Sequence, residues 1–399
     1  MALRRNRFGA LDIGSQSITF LLGERVGSQF DLIGHAQVPS AGVQKGRVED
    51  PKALSGVLQN LFTDVSKRFG TLLQDLSLSQ SGTHLQSTSF EMLLPFPDFR
   101  HRIEQNDLDR LHRLVAEKEL PPEIGSLHVS PKFYTVNGTR VEQPIGKKAN
   151  SITAHCGLLF GKAEPIRDQL YAVNQFGFSV RHLVFSAMAS ALAVTMPIER
   201  ENGVCVLDIG AQMTDYVVSK RQTVIAAGTI PVGGQNFTRD VCSGLRILNQ
   251  DAERLKCEYG IPNLTPETPE VILVIGDRSI GDKAIKIKNL RTILLARARE
   301  LFGYVSKCIG GEEELLSGGV VSLPDQDLRL KLIGRDHAVL EFGDAGRGAD
   351  RDLVHAVVSM HHERAADLQV AQDAGEKFGQ FGVIHAEQLG GGVGVLKVN

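Results

Sequence analysis

The feature that most constrains this chain is an internal repeat, a strand-like run that ends in a polar glycine turn. The sequence FGALDIGSQS occupies residues 8–17, and the similar VCVLDIGAQM occupies residues 204–213. The two aspartates, Asp12 and Asp208, stand 196 positions apart, which is almost half of the 399 residues. A single Leu-Asp-Ile-Gly could arise by chance, but two copies at this spacing favour a duplicated fold.

The similarity continues beyond each turn. In both halves, apolar runs and short polar turns follow one another in the same order, at 18–22, 27–28 and 30–33 and again at 216–218, 220–222 and 224–227. Each half therefore opens as a strand, a glycine turn, a second strand, a hairpin and a third strand.

Helical patterns fill the space between these strands. Apolar residues spaced three and four apart predict amphipathic helices over 51–69, 106–118 and 290–308. Asn106 is the predicted N-cap of the second helix. That helix lies in the stretch 84–161, which we predict to be an inserted subdomain with two β-like runs, at 127–129 and 132–136. The fold class that these patterns favour is α/β.

The composition excludes several classes of function. Lys and Arg number 44 and Asp and Glu number 46, a net charge of −2, which argues against broad electrostatic binding of nucleic acid and leaves only a local basic patch open. Five scattered cysteines without a Cys-x-x-Cys pair fit reduced thiols in the cytoplasm better than a disulfide frame or a zinc site. The longest apolar stretch, 183–196, is too short to span a bilayer, and the P-loop motif is missing from the sequence.

Strand-end aspartates beside glycine turns suit the binding of a phosphate chain. A glycine turn lets successive backbone N–H groups converge on phosphate oxygens without obstruction by a Cβ atom. An aspartate at the strand end can hold a hydrated Mg²⁺ that bridges the phosphates. Two such turns facing each other would hold a nucleotide tail from both sides, and we predict this clamp at Asp12 and Asp208. The alternative is a pair of ordinary strand-to-turn corners with exposed acids.

Three pairs of residues in the second half are further candidates for nucleotide binding. They are Gly233 and Gly234, Glu253 and Lys256, and Gly318 and Gly319. The first pair precedes a helical stretch whose N-terminus could face phosphate, or it forms a plain strand–turn–helix joint. The second pair shares one helix face and could reach a ribose and a base, or it is a solvated ion pair. The third pair could admit a flat ring against the backbone, or it marks a turn.

A set of short segments, added to the glycine turns, matches one protein family. The segments are LDIG at 11–14, GVQKG at 42–46, LHVSP at 127–131, EQPIG at 142–146, ASALA at 189–193, residues 203–215, IPVGG at 230–234, QDAE at 250–253 with Lys256, GDR at 276–278, and Arg297 with ELF at 300–302. Together these residues resemble the FtsA family of bacterial cell-division proteins, in the superfamily of actin, heat-shock chaperones and sugar kinases. The resemblance runs from about residue 8 to about residue 334, and the Pro-Ile-Gly of the insertion is its most specific motif.

The resemblance implies an actin-like fold, in which duplicated ribonuclease-H-like domains surround a nucleotide cleft and carry an FtsA-type inserted subdomain. The implied limits are 1–83 and 162–200 for the first core, with 335–399 as a candidate completion, 84–161 for the insertion, 201–243 and 309–334 for the second core, and 244–308 for a small subdomain.

The resemblance also implies ATP and Mg²⁺ as ligands. Asp12 and Asp208 would lie near the Mg²⁺, with water between. The phosphates would be bound by Gly14, Ser15, Gln16, Gly210, Ala211 and Gln212. Of the three further pairs, the second would lie by the ribose and base and the third under the adenine.

The partners that the resemblance implies are FtsZ, other division proteins and further copies of the chain. The protein would polymerise, bind the C-terminal tail of FtsZ on 244–308, and link the FtsZ ring to the cytoplasmic face of the cell membrane at the division site. Arg291 and Arg297 are predicted to meet the acidic partner. No aromatic residue follows Phe381, so the C-terminal amphipathic helix typical of the family is not seen, and we expect the membrane to be reached indirectly.

Departures from the family pattern bear on ATP hydrolysis. Ala211 and Gln212 stand where the family has glycines, which predicts a strain of about 1–2 kcal/mol wherever a left-handed backbone is required. Ser17 stands where the first turn often has lysine. We therefore expect at most a weak ATPase activity.

Two alternatives stay open from the sequence. One is an actin-fold phosphotransferase resembling the sugar kinases, which would need a carboxylate base in its cleft. The other is a pilus-assembly adaptor resembling PilM, which would bind a short peptide. The segments 144–146 and 276–278 favour the FtsA family over both.

Overall fold

The structure, a computed structural model, describes residues 5–26, 29–70, 75–98, 101–260, 270–274, 281–309, 320–324, 356–358 and 382–383. The chain divides into two compact units. The first unit comprises Met1–Ala193, Gln222–Gly228 and Ala365–Asn399, and the second comprises Val194–Arg221 and Thr229–Arg364. Gly318 and Gly319 lie outside the described residues.

The described chain contains both strands and helices. In order they are β1 (Arg5–Ile13), β2 (Ser17–Val26), β3 (Gln29–Pro39), β4 (Val43–Gln44), β5 (Arg47–Val48), α1 (Pro51–Phe69), β6 (Asp75–Gln80), β7 (Leu85–Pro95), α2 (Gln105–Ala116), β8 (Ile124–Val136), β9 (Thr139–Val141), β10 (Ser151–Lys162), α3 (Ala163–Asn174), β11 (Ser179–Phe185), α4 (Ser186–Val194), α5 (Pro197–Asn202), β12 (Val204–Ile209), β13 (Thr214–Lys220), β14 (Thr223–Ile230), α6 (Gly234–Leu245), α7 (Asn249–Tyr259), β15 (Val271–Val274), β16 (Lys283–Lys286), α8 (Ile287–Ile309), β17 (Val320–Pro324), β18 (Ala356–Val358) and β19 (Gly382–Val383).

The first unit is built on a five-stranded sheet in the order β11-β6-β1-β2-β3. Strand β1 runs antiparallel to β2 and parallel to β6, so the strand that carries the first repeat lies at the centre of the sheet. Helix α1 buries the apolar stripe that its sequence predicts, and Asp50 caps it by accepting hydrogen bonds from the backbone N–H groups of Lys52 (3.0 Å) and Ala53 (3.1 Å). The predicted helix over 51–69 is thus confirmed.

Residues 85–162 form a second sheet within the first unit. Strand β10 pairs antiparallel with both β7 and β8, and β19 adds to the other edge of β8. Helix α2 covers one face and buries Leu111 and Val115 against residues such as Ile152.

The two β-like runs predicted in this stretch are one continuous strand, β8, and the predicted N-cap of α2, Asn106, is wrong. The helix begins earlier, at Gln105, because the Asp107 carboxylate accepts a hydrogen bond (2.8 Å) from the backbone N–H of Glu104.

The second unit repeats the strand order of the first. Its sheet runs β14-β13-β12-β17-β18, which matches β3-β2-β1-β6-β11 position for position. Strand β12 runs antiparallel to β13 and parallel to β17, as β1 does to β2 and β6. Helix α6 packs against α7 and α8, and β15 and β16 form a separate hairpin. The duplication predicted from the repeated motif is therefore confirmed as a duplication of topology.

Within the described residues, no helix combines the length and the apolar character needed to cross a membrane.

Candidate functional site

The first glycine turn, residues 14–17, connects β1 to β2. The N–H of Gly14 donates a hydrogen bond (3.0 Å) to the carbonyl of Ser17, and Ile13 and Ile18 pair directly below it. A Cβ atom on Gly14 would lie 2.8 Å from that carbonyl oxygen, so the turn closes only around glycine. The side chain of Gln16 is exposed and those of Ser15 and Ser17 are half-buried, which leaves polar groups at the surface of this turn.

Asp12 lies two residues before this turn, at the end of the central strand. Its Oδ1 accepts a short hydrogen bond from the hydroxyl of Ser79, on the neighbouring strand β6. Burial raises the pKa of the Asp12 carboxyl, and the Ser79 hydrogen bond partly offsets this rise. A carboxylate held in this way gains from a nearby cation, because the cation replaces part of the hydration that burial removes.

The second glycine turn, residues 210–213, has the same geometry. The N–H of Gly210 donates to the carbonyl of Met213 (2.8 Å), and Ile209 and Thr214 pair below it. Ala211 and Gln212 have no positive φ, so the left-handed strain predicted for them is absent. Ala211 and Met213 are buried and Gln212 is half-buried, which places the added methyl group in the protein interior.

Asp208 lies two residues before the second turn, as Asp12 does before the first. It is half-buried and stands opposite Asp215 in the antiparallel register of β12 and β13. Residues paired in this way place their side chains on the same face of the sheet. Asp215 is buried and accepts a hydrogen bond from the hydroxyl of Thr229. Asp215 is not among the site residues predicted from the sequence, although it closes the segment 203–215 that carries the resemblance.

The N-terminus of α6 is joined to the second turn by backbone hydrogen bonds. The N–H groups of Gly234 and Gln235 donate to the carbonyls of Gly210 (2.9 Å) and Ala211 (2.8 Å). A Cβ atom on Gly233 would lie 2.5 Å from the carbonyl oxygen of Gly210. The first N–H groups of this helix, predicted to face phosphate, therefore hold the second turn in place.

Glu253 and Lys256 lie on α7 and complete a polar network with α6. The ammonium group of Lys256 contacts Glu253 Oε1 (2.7 Å), Thr238 Oγ1 (3.0 Å) and the carbonyl of Gly234 (3.5 Å). Thr238 in turn donates a short hydrogen bond to the other carboxylate oxygen of Glu253. Lys256 is 4% exposed, whereas a third of the Glu253 side chain is accessible, so the carboxylate is the member of the pair that solvent or a ligand can reach.

One network therefore joins four of the residues predicted in the second half, Gly210, Gly234, Glu253 and Lys256. It runs from Met213 through Gly210 and Gly234 to Lys256 and Glu253. Thr238, which links the last two, was missed because it lies 15 and 18 positions away from its partners and carries no motif of its own. In the part of the chain that the structure describes, no three acidic, histidine or cysteine side chains cluster as a metal-ligand set.

The two arginines predicted to meet an acidic partner both lie on α8. Arg297 forms a two-pronged ion pair with Asp240 of α6, through Nε–Oδ2 (2.5 Å) and Nη2–Oδ1 (2.9 Å), and it also pairs with Glu300. The hydrogen bonds to Asp240 raise the pKa of this guanidinium. Arg291 is half-buried, and its Nε has no hydrogen-bond partner among the described residues. The charge of Arg297 is thus already neutralised within the chain.

Two family models match the chain and together span more than half of it. One is described as "Cell division protein FtsA" and matches residues 205–383, and the other as "SHS2 domain inserted in FTSA" and matches residues 82–159. The chain is 26% identical over 329 residues to the cell division protein FtsA of Neisseria meningitidis serogroup B, covering 80% of this chain and 78% of the relative. It is 24% identical over 317 residues to FtsA of Bacillus subtilis, covering 79% and 71%.

Among solved structures, the chain is similar to the PilM-PilN type IV pilus biogenesis complex. The TM-score is 0.51 at 16% identity, over 79% of this chain and 80% of that one. Likeness at this identity concerns the fold alone. With the repeated strand order and the match to an FtsA insertion, it confirms the predicted actin-like α/β fold with an inserted subdomain.

Proposed function

Because this chain belongs to the FtsA family of cell-division proteins, we propose that it is an ATP-binding, actin-like scaffold. It binds Mg-ATP through its two glycine turns, polymerises, and links the FtsZ ring and other division proteins to the cytoplasmic face of the membrane at the division site. The alternatives are a pilus-assembly adaptor resembling PilM and an actin-fold phosphotransferase. Membership of the family supports the first proposal over both.

The observation that carries nucleotide binding is the matched geometry of the two turns. In each, a glycine N–H bonds to the carbonyl three residues later, and an aspartate stands two residues before that glycine. Short turns of this kind direct backbone N–H groups towards a common point, which favours an anion such as a polyphosphate. The aspartates favour the Mg²⁺ that neutralises it.

We propose the following roles for the other predicted site residues. Ser15, Gln16, Ala211 and Gln212 offer backbone N–H groups to phosphate, and Asp12 and Asp208 hold Mg²⁺ through water. Gly233 and Gly234 act by holding the second turn. Glu253, kept in place by Lys256 and Thr238, is the acceptor for a ribose hydroxyl. Gly318 and Gly319 lie outside the described residues, and their proposed position beneath the adenine rests on the resemblance alone.

We propose slow turnover, or none, for the bound ATP. Hydrolysis needs a group that positions or activates the attacking water. Asp12 already accepts the Ser79 hydroxyl and Asp215 the Thr229 hydroxyl. The carboxylate oxygens that these hydroxyls occupy are therefore not available to orient an attacking water.

Calorimetry with a non-hydrolysable ATP analogue and Mg²⁺ tests the nucleotide proposal. The wild type is expected to bind in the micromolar range, and Asp12→Ala is expected to bind about tenfold more weakly or worse, because it loses a charged ligand worth about 1.4 kcal/mol or more. Asp31→Ala, which removes an exposed acid from the same sheet, is the matched control and should bind like the wild type. Wild-type protein that releases no heat would contradict the proposal.

The proposed docking site for the FtsZ tail is the subdomain at 244–308. Of its two candidate arginines, Arg291 is the better contact, because Arg297 is committed to Asp240 and Glu300. Titration with a peptide of the FtsZ C-terminal tail should show binding that Arg291→Glu weakens about tenfold through charge reversal. Arg299→Glu, an exposed position on the same helix, is the control. No binding at high micromolar peptide would favour the pilus-type adaptor.

A further inference from the structure

Two buried glutamines, Gln80 and Gln169, connect the strand next to Asp12 with the β4–β5 hairpin of the same unit. Gln80 Nε2 donates to the backbone carbonyl of Ser79 (3.1 Å) and to Oε1 of Gln169 (3.1 Å), and Gln169 Nε2 donates to the carbonyl of Gly46 (2.8 Å). Since the Ser79 hydroxyl donates to Asp12, a chain of contacts runs from Asp12 to Gly46. We call Ser79, Gln80, Gln169 and Gly46 the glutamine relay.

The orientation of both side-chain amides in the glutamine relay is fixed by backbone carbonyls at its two ends. A carbonyl only accepts, so Gln169 must turn its NH₂ group to Gly46 and its oxygen to Gln80. Gln80 must then turn its own NH₂ group to Gln169 and Ser79. Its Oε1 is left buried without a hydrogen-bond partner among the described residues. Gln80 is fully buried and Gln169 is 1% exposed, so water cannot replace these contacts, and the network has a single arrangement.

The far end of the glutamine relay is the tip of the β4–β5 hairpin. Lys45 (φ 47°) and Gly46 (φ 74°) both have left-handed backbones, as the tight turn between these strands requires. A Cβ atom on Gly46 would lie 1.9 Å from the carbonyl oxygen of Ser81 and 2.7 Å from Cα of Gly82. The hairpin tip therefore rests directly on the backbone that follows Gln80.

That backbone leads straight into the inserted sheet. The carbonyl of Gly82 accepts from the N–H of Leu85 (3.0 Å), the first residue of β7, and the carbonyl of His84 accepts from the N–H of Lys162 (3.3 Å), the last residue of β10. The base of the insertion is thus attached where the hairpin tip and the glutamine relay meet.

We propose that the glutamine relay couples occupancy of the first glycine turn to the inserted sheet. The coupling rests on the nucleotide binding proposed above. The hydrated cation that accompanies the polyphosphate competes with the Ser79 hydroxyl for the Asp12 carboxylate. Any shift of Ser79 moves the backbone of residues 79–82, because Gln80 and Gln169 tie that backbone to the hairpin. The inserted sheet then responds to the presence of nucleotide, although it takes no part in binding it.

Hydrogen exchange on the full chain tests this coupling. In the wild type, the Mg-bound non-hydrolysable ATP analogue should change the exchange rates of β7 and β10 amides by about threefold or more. Gln169→Met keeps the volume of the side chain but removes both hydrogen bonds, and Ser79→Ala removes the link to Asp12. Gln169→Met should still bind the analogue by calorimetry, and at saturating analogue the response of β7 and β10 should disappear in both variants. Gln175 lies at the C-terminal end of α3, the helix that carries Gln169, but outside the glutamine relay. Gln175→Met should therefore respond like the wild type.

The outcomes separate this inference from the function on which it rests. Wild type that binds the analogue without any response in β7 and β10 overturns the coupling and leaves the proposed function intact. A response that persists in both Gln169→Met and Ser79→Ala overturns it as well. Wild type that fails to bind the analogue overturns the proposed function and, with it, the coupling.

Discussion

The first glycine turn is supported by a neighbouring strand, whereas the second is supported by the start of a helix. At the first, the Ser79 side chain reaches Asp12 from β6. At the second, two backbone N–H groups of α6 bind the carbonyls of Gly210 and Ala211. The hydrogen bond that closes each turn is the same, and so is the strand order around it.

This difference implies that the two turns of the duplicated fold respond differently to a ligand. Backbone hydrogen bonds leave the second turn little freedom, so its groups are in position before a ligand arrives. The first turn has one outside backbone hydrogen bond, from the N–H of Ser40 to the carbonyl of Gln16 (2.8 Å), and its aspartate is held by the Ser79 hydroxyl, which a ligand can displace. We therefore expect the second turn to act as a fixed support and the first to respond to the ligand.

The largest expected effect is a loss of stability at low pH, which we expect in the first unit and not in the second. Burial, with the charges of Arg47 and Lys162, lowers the pKa of His84 to about 4, and burial alone lowers the pKa of His128 to about 4. Both histidines belong to the first unit, and no histidine lies among the described residues of the second. The unfolded chain takes up these protons near pH 6.5, so the stability they contribute is complete above that pH and is lost as the pH falls towards 4.

Between pH 7 and pH 5, the first unit should lose about 2 kcal/mol for each of these histidines. Hydrogen exchange followed by fragment analysis at the two pH values measures this for each unit separately. Replacing His84 and His128 with Gln should flatten the dependence. Earlier loss of protection in the second unit would contradict the prediction.

The next effect tests the rigid support of the second turn. Gly233→Ala would place a Cβ atom 2.5 Å from the Gly210 oxygen and the Met213 nitrogen, which are both backbone atoms, so we expect a loss of about 3 kcal/mol in the free energy of unfolding by urea. Gly56→Ala in α1 is the control, because no atom lies within 4 Å of the new methyl group. It should stabilise the protein by about 0.5–1 kcal/mol. Equal effects of the two changes would argue against a fixed second turn.

A smaller effect is expected at the buried lysine of the second unit. Lys256→Met should lower the free energy of unfolding by about 2 kcal/mol, because Glu253 loses its charged partner but remains accessible enough for water to compensate in part. The double variant with Glu253→Gln should recover some of that loss. Arg254→Met, in an exposed pair on the same helix, should change stability by less than about 0.5 kcal/mol. If Lys256→Met left the free energy of unfolding unchanged, the network would contribute no stability.

The smallest effect distinguishes a structural arginine from a partner-binding one. Arg297→Lys should cost about 1 kcal/mol, because lysine cannot make the two parallel hydrogen bonds to Asp240. Arg299→Lys, at an exposed position on α8, should leave the free energy of unfolding unchanged. Urea unfolding measures both. If Arg297→Lys left the stability unchanged but weakened binding of the FtsZ peptide, Arg297 would be a contact residue for the partner.

The sequence predicts the repeated turns well because each is encoded by consecutive residues. The same holds for Glu253 and Lys256, whose spacing of three is enough to place them on one helix face. Ser79 and Thr238 could not be found in this way, since they lie 67 positions from Asp12 and 15 positions from Glu253. The strain expected at Ala211 is absent because the turn needs no left-handed residue there, and only backbone geometry reveals this.

Strand β14 has a practical consequence for dissecting this protein. It starts among residues 222–228, which belong to the first unit, and it ends in the second. The polypeptide passes from one unit to the other at 193–194, 221–222, 228–229 and 364–365. Neither unit can therefore be expressed as one uninterrupted gene fragment. Work on isolated halves would need circular rearrangement or co-expressed pieces.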